Sequence, residues 1–583
     1  MKTIHVSMMN YSNLQSVVCR IVVAVVALAV ATGCSGMVDT DLGYEMIPEH
    51  QKMEMRHLEF KGGKLITFDW KQSTEDKYVS KELPGNFFET RLYHTDSLLS
   101  SNVSYGYLGV ERSDTFGVRS AALASSIMFM NKIDEEDGFG YKPIFDTLRL
   151  VLSVEDYGAD TLTPVRYTVY EVKNPLLGSV INSKDTTAYT SCDLSLAYDE
   201  TKPLFTFTFP DGEKTGPVRS SVVLEPVEGG MKEGGATWNF VRRLMCVPDN
   251  YTSSDWDGYA RDVDSLYIEE KNFSKAFNGL CFVPDVESAE ENKRGALYSF
   301  KLASSGVMLE ARNRNPEDPT LIKDTIAVAY YFFDESLAEE DGLNMSVNSI
   351  KHDYQKSLTS APSKLSECNF RAYDDAGNSV PRTERTLVKE CFIEGCGGVA
   401  TELYFTDEFL LQLKALTAAD NSTDGLEYRT IGINQCLLTV YTKGADYDWN
   451  ATQGNASLIE LYESSLDRLG TYLKYSTLTA ITDYDYEAEV NQTVDLNYDG
   501  YLNRSRGCYV MNITGYMQRL YNYVRSLDDL ADYNEVTMPR SLYLGPQATT
   551  PYTFKRSVVQ GSVDDSSDIQ APIHIEMLYT MIK

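Results

Sequence analysis

The sequence predicts a mainly β protein: two β-sandwich, jelly-roll-like domains with a few short helices, carried on a polar tether. Three observations lead there. Short segments with period-2 alternation of apolar residues recur along the chain, the mark of half-buried strands. Tyr (39) and Phe (23) far outnumber Trp (4), and β-branched residues are plentiful, a composition suited to pleated surfaces. At 583 residues the chain exceeds one usual core, so two domains are expected and three are possible.

Taken in order, the chain opens with Lys2 and Arg20, the apolar run Ile21–Ala31, then Ala31-Thr32-Gly33-Cys34. A positive segment, a short apolar segment and small residues before a cut describe a secretory signal over residues 1–33. The run rises roughly 16 Å as a helix, about half of a bilayer's hydrocarbon core. With Cys34 directly behind the small residues, the cut resembles a bacterial lipoprotein cleavage. That resemblance implies lipidation of Cys34, its thiol taking a diacylglycerol and its freed amine a further acyl chain such as palmitate. The alternative is an ordinary secreted protein with a chance cysteine. Asp39 and Asp41 resemble the acidic tag that sends some Bacteroidota lipoproteins to the cell surface. The expectation is a lipid-anchored protein of the outer membrane, facing outward.

Residues 34–62 are polar and non-periodic and are expected to be the tether. An N-terminal β-sandwich domain is expected over 63–345. Its strands include Phe145–Ser153, the alternating Val165, Tyr167 and Val169, the alternating Phe205, Phe207 and Phe209, and Leu297–Leu302, Val307–Ala311 and Ile326–Phe333. The polar stretch Asn344–Ser360 is the expected boundary, with a C-terminal β-sandwich domain over 346–583. There Leu387–Phe392, Val399–Phe405, Ile431–Tyr441, Tyr509–Ile513 and Ile573–Ile582 read as strands. Thr406 is the expected N-cap of a short helix, with Asp407 and Glu408 in its first turn against the helix dipole and Phe409, Leu410, Leu413 and Leu416 on its apolar face.

Fifty-three basic residues against 84 acidic ones give a net charge of −31. Loss of Lys2 and Arg20 with the signal makes it −33. Such a surface repels phosphate backbones, so no nucleic-acid partner is expected, nor broad contact with anionic headgroups beyond the anchor. Apart from Cys19 and Cys34, eight cysteines are scattered without paired spacing, which argues against a zinc knuckle. Free buried thiols are expected, with Cys391 and Cys396 the closest potential pair.

Several blocks resemble a known family. Leu108–Met128 (LGVERSDTFGVRSAALASSIM), FDTLRLVLSVEDYG and VRYTVYEV are similar to the opening of the Bacteroidota lipoproteins catalogued as the domain-of-unknown-function 4270 (DUF4270) family. Phe273–Phe282, Gly395–Phe405 (GCGGVATELYF), Tyr509–Leu520 and the terminal IHIEMLYTMIK resemble later blocks in the same order. The likeness spans about Asp41 to Lys583. It implies location and architecture; the family has no established chemistry, so it implies no catalytic residues.

The chain contains no GxSxG elbow, HExxH, Walker loop or GxGxxG, and no two histidines stand at metal-ligand spacing. Binding rather than catalysis is therefore expected. The candidate metal loop is Asp495, Asn497 and Asp499 followed by Gly500, the oxygen ligands and turning glycine of a calcium loop. Position twelve, however, is Arg506 where a bidentate acid belongs, and an Asx-rich turn between strands is the competing reading. Tyr447–Trp449, Tyr484–Tyr486 and Tyr516–Tyr523 are candidate stacking surfaces for sugars or a protein partner. Asp160-Thr161-Leu162 resembles this bacterial group's periplasmic O-glycosylation triplet, with Thr161 as acceptor. The leading functional expectation is an accessory subunit docked on an outer-membrane protein complex. A surface glycan-binding protein is the alternative, and a carbohydrate-active enzyme the third.

Overall fold

The computed structural model describes residues 53–582, apart from 62–63, 69–77, 83–85, 95–97, 131–137, 159, 211–220, 248–265, 268, 291–292, 336–343, 358–364, 375–377, 419–426, 444–464, 475–478, 481–497, 549–550 and 563–572. The protein is mainly β, with sheets packed in sandwich fashion and few short helices. Two large apolar cores organise it.

The first core lies between two layers. One layer runs β11 (Tyr198–Phe209), β10 (Val165–Val172), β13 (Leu280–Pro284), β6 (Gly117–Ser125), β5 (Tyr105–Ser113), β14 (Gly295–Lys301), β9 (Val154–Tyr157). The other runs β12 (Ser221–Pro226), β8 (Tyr141–Val151), β15 (Gly306–Arg314), β16 (Ile322–Tyr331), β7 (Met128–Phe129), and the pairing of β11 with β12 joins the layers. The alternating residues expected from the sequence fill the space between them. Leu148, Leu150, Val165, Tyr167, Val169, Phe205, Phe207 and Phe209 are all buried, and the Tyr167 and Phe207 rings stack 4.7 Å apart. Burying each such side chain contributes roughly 1.5–3 kcal/mol.

The second core is assembled from both ends of the chain. A seven-stranded sheet runs β23 (Asp499–Asn503), β24 (Cys508–Asn512), β20 (Thr430–Tyr441), β27 (His574–Ile582), β1 (Met53–Lys61), β2 (Lys64–Phe68), β3 (Tyr78–Glu82). A five-stranded sheet runs β22 (Thr479–Ala480), β21 (Leu469–Lys474), β25 (Ser541–Pro546), β19 (Val399–Phe405), β4 (Phe88–His94), and β18 (Glu390–Glu394) pairs with β26 (Arg556–Gln560). The expected helix spans Asp407–Lys414; Thr406 Oγ1 accepts from the Phe409 amide at 3.3 Å, and Phe409, Leu410 and Leu413 are buried.

Two boundaries differ from the linear reading. Residues 53–61, expected in the tether, form β1, in register with β27 so that Leu58 faces Met577 and Phe60 faces Ile575. Both are buried in the second core, as are Phe88 and Leu92 of β4; the segment expected to open the first domain therefore belongs with the second half. The expected linker Asn344–Ser360 contains β17 (Ser346–Asp353), which lies along β6 over its whole length. Two of its polar side chains, Asn348 and Ser349, are buried and satisfied. Asn348 Oδ1 accepts from the Tyr107 amide at 2.9 Å, its Nδ2 donates to the Tyr105 carbonyl at 3.0 Å, and Ser349 donates to the Cys192 carbonyl at 2.7 Å. Composition marks such a strand as a linker because it cannot show where polar groups find partners.

Candidate binding cleft between the two halves

The layer that carries β5, β6 and β17 turns even-numbered residues of β5, such as Leu108 and Val110, into the first core. The odd-numbered ones, Tyr107 and Glu111, face the second half, a consequence of strand period 2. Register then lines up Glu111, Arg119 and His352 side by side across the three strands. Opposite them, Glu394 and Arg556 are cross-strand partners on the β18–β26 ribbon.

These groups close into one buried cluster. Arg119 Nη2 donates to Glu111 Oε2 at 2.6 Å and to the Phe554 carbonyl at 2.9 Å, and its Nη1 lies 3.5 Å from Glu394 Oε1. Arg556 bonds Glu111 Oε1 and Glu394 Oε1. Glu394 Oε2 also receives the Tyr354 hydroxyl at 3.1 Å and lies 3.1 Å from His352 Nδ1, while His352 Nε2 faces the Cys396 carbonyl at 3.1 Å. Burial alone would push both carboxyls up. For Glu111 the Arg556 and Arg119 charges outweigh it and hold the group below its ordinary range. For Glu394, His352, Arg119 and Arg556 do the same and lower it to about 2. The glycines of Gly395-Cys396-Gly397-Gly398 permit this closeness: Gly397 takes φ +78°, and a Cβ at Gly398 would meet the Glu394 carboxylate at 2.7 Å.

Beside this floor the interface opens into a cleft of about 1050 Å³, at the upper end of small-molecule sites. Tyr107 and Tyr552 stack on its wall, 5.4 Å apart at 23°. Tyr105 and Tyr157 line it with 40% and 51% of their surface exposed. On the far side Arg468 lies over the Tyr501 ring, 4.7 Å from its centre. The charged lining is mixed: Glu111, Glu155, Asp156 and Asp467 against Arg294, Arg468 and Lys555. Lys555 holds Asp467 at 2.7 Å. Such a surface offers aromatic faces and hydrogen-bonding groups of both kinds. Its buried acid, Glu111, is held ionised, the opposite of a raised general acid.

The residues singled out in the sequence lie elsewhere. Cys34, Asp495, Asn497, Tyr447–Trp449 and Tyr484–Tyr486 fall outside the described residues. Asp499 begins β23, and its carbonyl accepts from Arg468 Nε at 2.7 Å. Among the described residues no group of three or more His, Cys, Asp or Glu is placed to hold a metal. Thr161 stands in a turn before β10. The neighbouring Asp160 carboxylate is already engaged there by Thr163 Oγ1 at 2.7 Å and by the Leu162 and Gly295 amides. Tyr516 and Tyr521 are not stacking surfaces; they lie fully buried on the inner face of a helix, Thr514–Ser526, that follows the expected strand. The eight described cysteines are free thiols.

Glu111, Arg119, His352, Glu394 and Arg556 carry no motif. For Glu111, Arg119 and Glu394 the one sequence signal is a charge interrupting an apolar strand, as in LGVERS, GVRSAALAS and CFIEG; His352 and Arg556 carry none. Compared with known proteins, the chain matches no family model, no curated relative and no solved structure.

Proposed function

We propose that the protein is an outer-membrane lipoprotein, anchored through Cys34 and facing outward, that acts by binding rather than catalysis and holds a saccharide in the cleft between its halves. The observation that carries this reading is the cleft lined by open tyrosines among hydrogen-bonding groups of both signs. Aromatic faces pack against the C–H faces of sugar rings, and mixed acids, arginines and lysine serve ring hydroxyls as acceptors and donors. The resemblance of several ordered blocks to DUF4270 lipoproteins, together with the lipoprotein-like cut before Cys34, supports the placement.

The test is a glycan array probed with the detergent-solubilised mature chain. Selective retention by a glycan class, lost in the double variant Tyr105→Ala/Tyr157→Ala, is the expected result. An array silent to the wild type would overturn the reading. Membrane fractionation of Cys34→Ala tests the anchor: the variant is expected in the soluble fraction.

A second reading, an accessory subunit of an outer-membrane complex, is favoured by one feature. Leu99 and Tyr189 pair across an isolated bridge, and each is 43% exposed, an apolar spot outside the cleft. Its measure is a mild-detergent pull-down; stoichiometric recovery of a β-barrel would make docking the primary role.

A further inference from the structure

We infer that the saccharide taken by the cleft carries a carboxylate, and that the Arg294 guanidinium binds it. This rests on the saccharide reading above and adds the ligand's charge and the residue that selects it.

The starting point is that both oxygens of Glu111 are already taken. Glu111 Oε2 is held by Arg119 at 2.6 Å, and Oε1 is held by Arg556. Arg294 approaches the same Oε1 only to 3.6 Å, through its Nε. Both Arg119 and Arg556 are buried, whereas the Arg294 side chain is 39% exposed on the cleft wall. Among the described residues Glu111 is its sole ion-pair partner. The planar fork formed by its two terminal nitrogens is thus left for a ligand. A guanidinium fork matches a carboxylate through two parallel hydrogen bonds, stronger than bonds to neutral hydroxyls.

The other cations of the cleft are committed. Lys555 is bound to both oxygens of Asp467, at 2.8 and 2.7 Å. Arg468 donates to the Asp499 carbonyl and lies over Tyr501. Glu155 and Asp156 stand exposed at the lip beside Tyr157. Two acids there repel a densely charged ligand such as a polysulfate. A single carboxylate on an otherwise hydroxylated ring escapes that penalty and still satisfies Arg294. The chemical class is therefore a uronic-acid-type saccharide.

The experiment titrates the detergent-solubilised mature chain calorimetrically with tetrasaccharides that carry one galacturonate, glucuronate or mannuronate residue among neutral sugars, and with their carboxyl-reduced neutral counterparts. At least one acidic tetrasaccharide is expected to bind at least about tenfold tighter than its reduced form. Arg294→Gln is expected to abolish that preference without moving the melting temperature, and Arg294→Lys to retain part of it. Equal affinity for acidic and reduced forms, unchanged by Arg294→Gln, overturns the inference while the cleft reading stands. No binding of either form by the wild type, together with a silent glycan array, overturns both.

Discussion

The floor and the mouth of the same interface treat charge in opposite ways. On the floor, Glu111 and Glu394 meet Arg119 and Arg556 in a dry ring, with His352 and Tyr354 completing the hydrogen bonds of Glu394. At the mouth, a few ångströms on, Arg294 is loosely held and tyrosines are half open to solvent. A buried charge is tolerable only when paired and hydrogen-bonded, so the floor is committed to holding the halves in register. Groups at the mouth keep their water, which a ligand can displace. The comparison separates residues whose loss unfolds the protein from residues whose loss empties it.

The largest effect should come from breaking the floor. Glu394→Ala leaves Arg119, Arg556 and His352 facing one another and is expected to cost about 3–5 kcal/mol in urea unfolding. A loss below about 1 kcal/mol would show the ring to be solvated. The next effect is on pH dependence. Both carboxyls are held below their unfolded values, Glu394 at about 2 against 4.5. The stability they add is therefore present above the ordinary carboxylate range and is lost as pH falls from about 4.5 toward 2. Denaturation midpoints should drop across that window, and the drop should be shallower in Glu394→Gln. A smaller change calibrates the scale far from the interface: Thr406→Ala removes the cap on the Phe409 amide and should cost about 1 kcal/mol. Smallest of all, Tyr105→Ala and Tyr157→Ala at the mouth should leave stability within about 0.5 kcal/mol while saccharide affinity falls roughly tenfold for the pair. A large stability loss in those tyrosine variants would erase the distinction between floor and mouth.

Much of the strand content was legible because it is local. In β8, β10 and β11 one face is apolar and the other polar, and alternation over six or so residues suffices to see it. Thr406 with Asp407 and Glu408 was equally readable, since a cap needs only the three residues that follow it. The site was not readable. Glu111 and Arg556 lie 445 positions apart, and neither sits in a motif. Arg119 within GVRSAALAS signals only that something across the sheet must answer a charge, not what does.

Strand-rich composition, a strongly acidic balance, cysteines without metal spacing and the expectation of a lipid anchor at Cys34 can all be read from the linear chain. Those follow from composition, short periodicity and contiguous motifs, each a property of neighbouring residues. That β1, β2 and β4 complete the second core, and that polar β17 pairs along β6, emerges from the fold alone. It alone joined Glu111, Arg119, His352, Glu394 and Arg556, from β5, β6, β17, β18 and β26, beneath a tyrosine cleft. Strand pairing is a long-range choice: it depends on which distant strand satisfies each backbone edge and each buried polar group, and no local stretch carries that information.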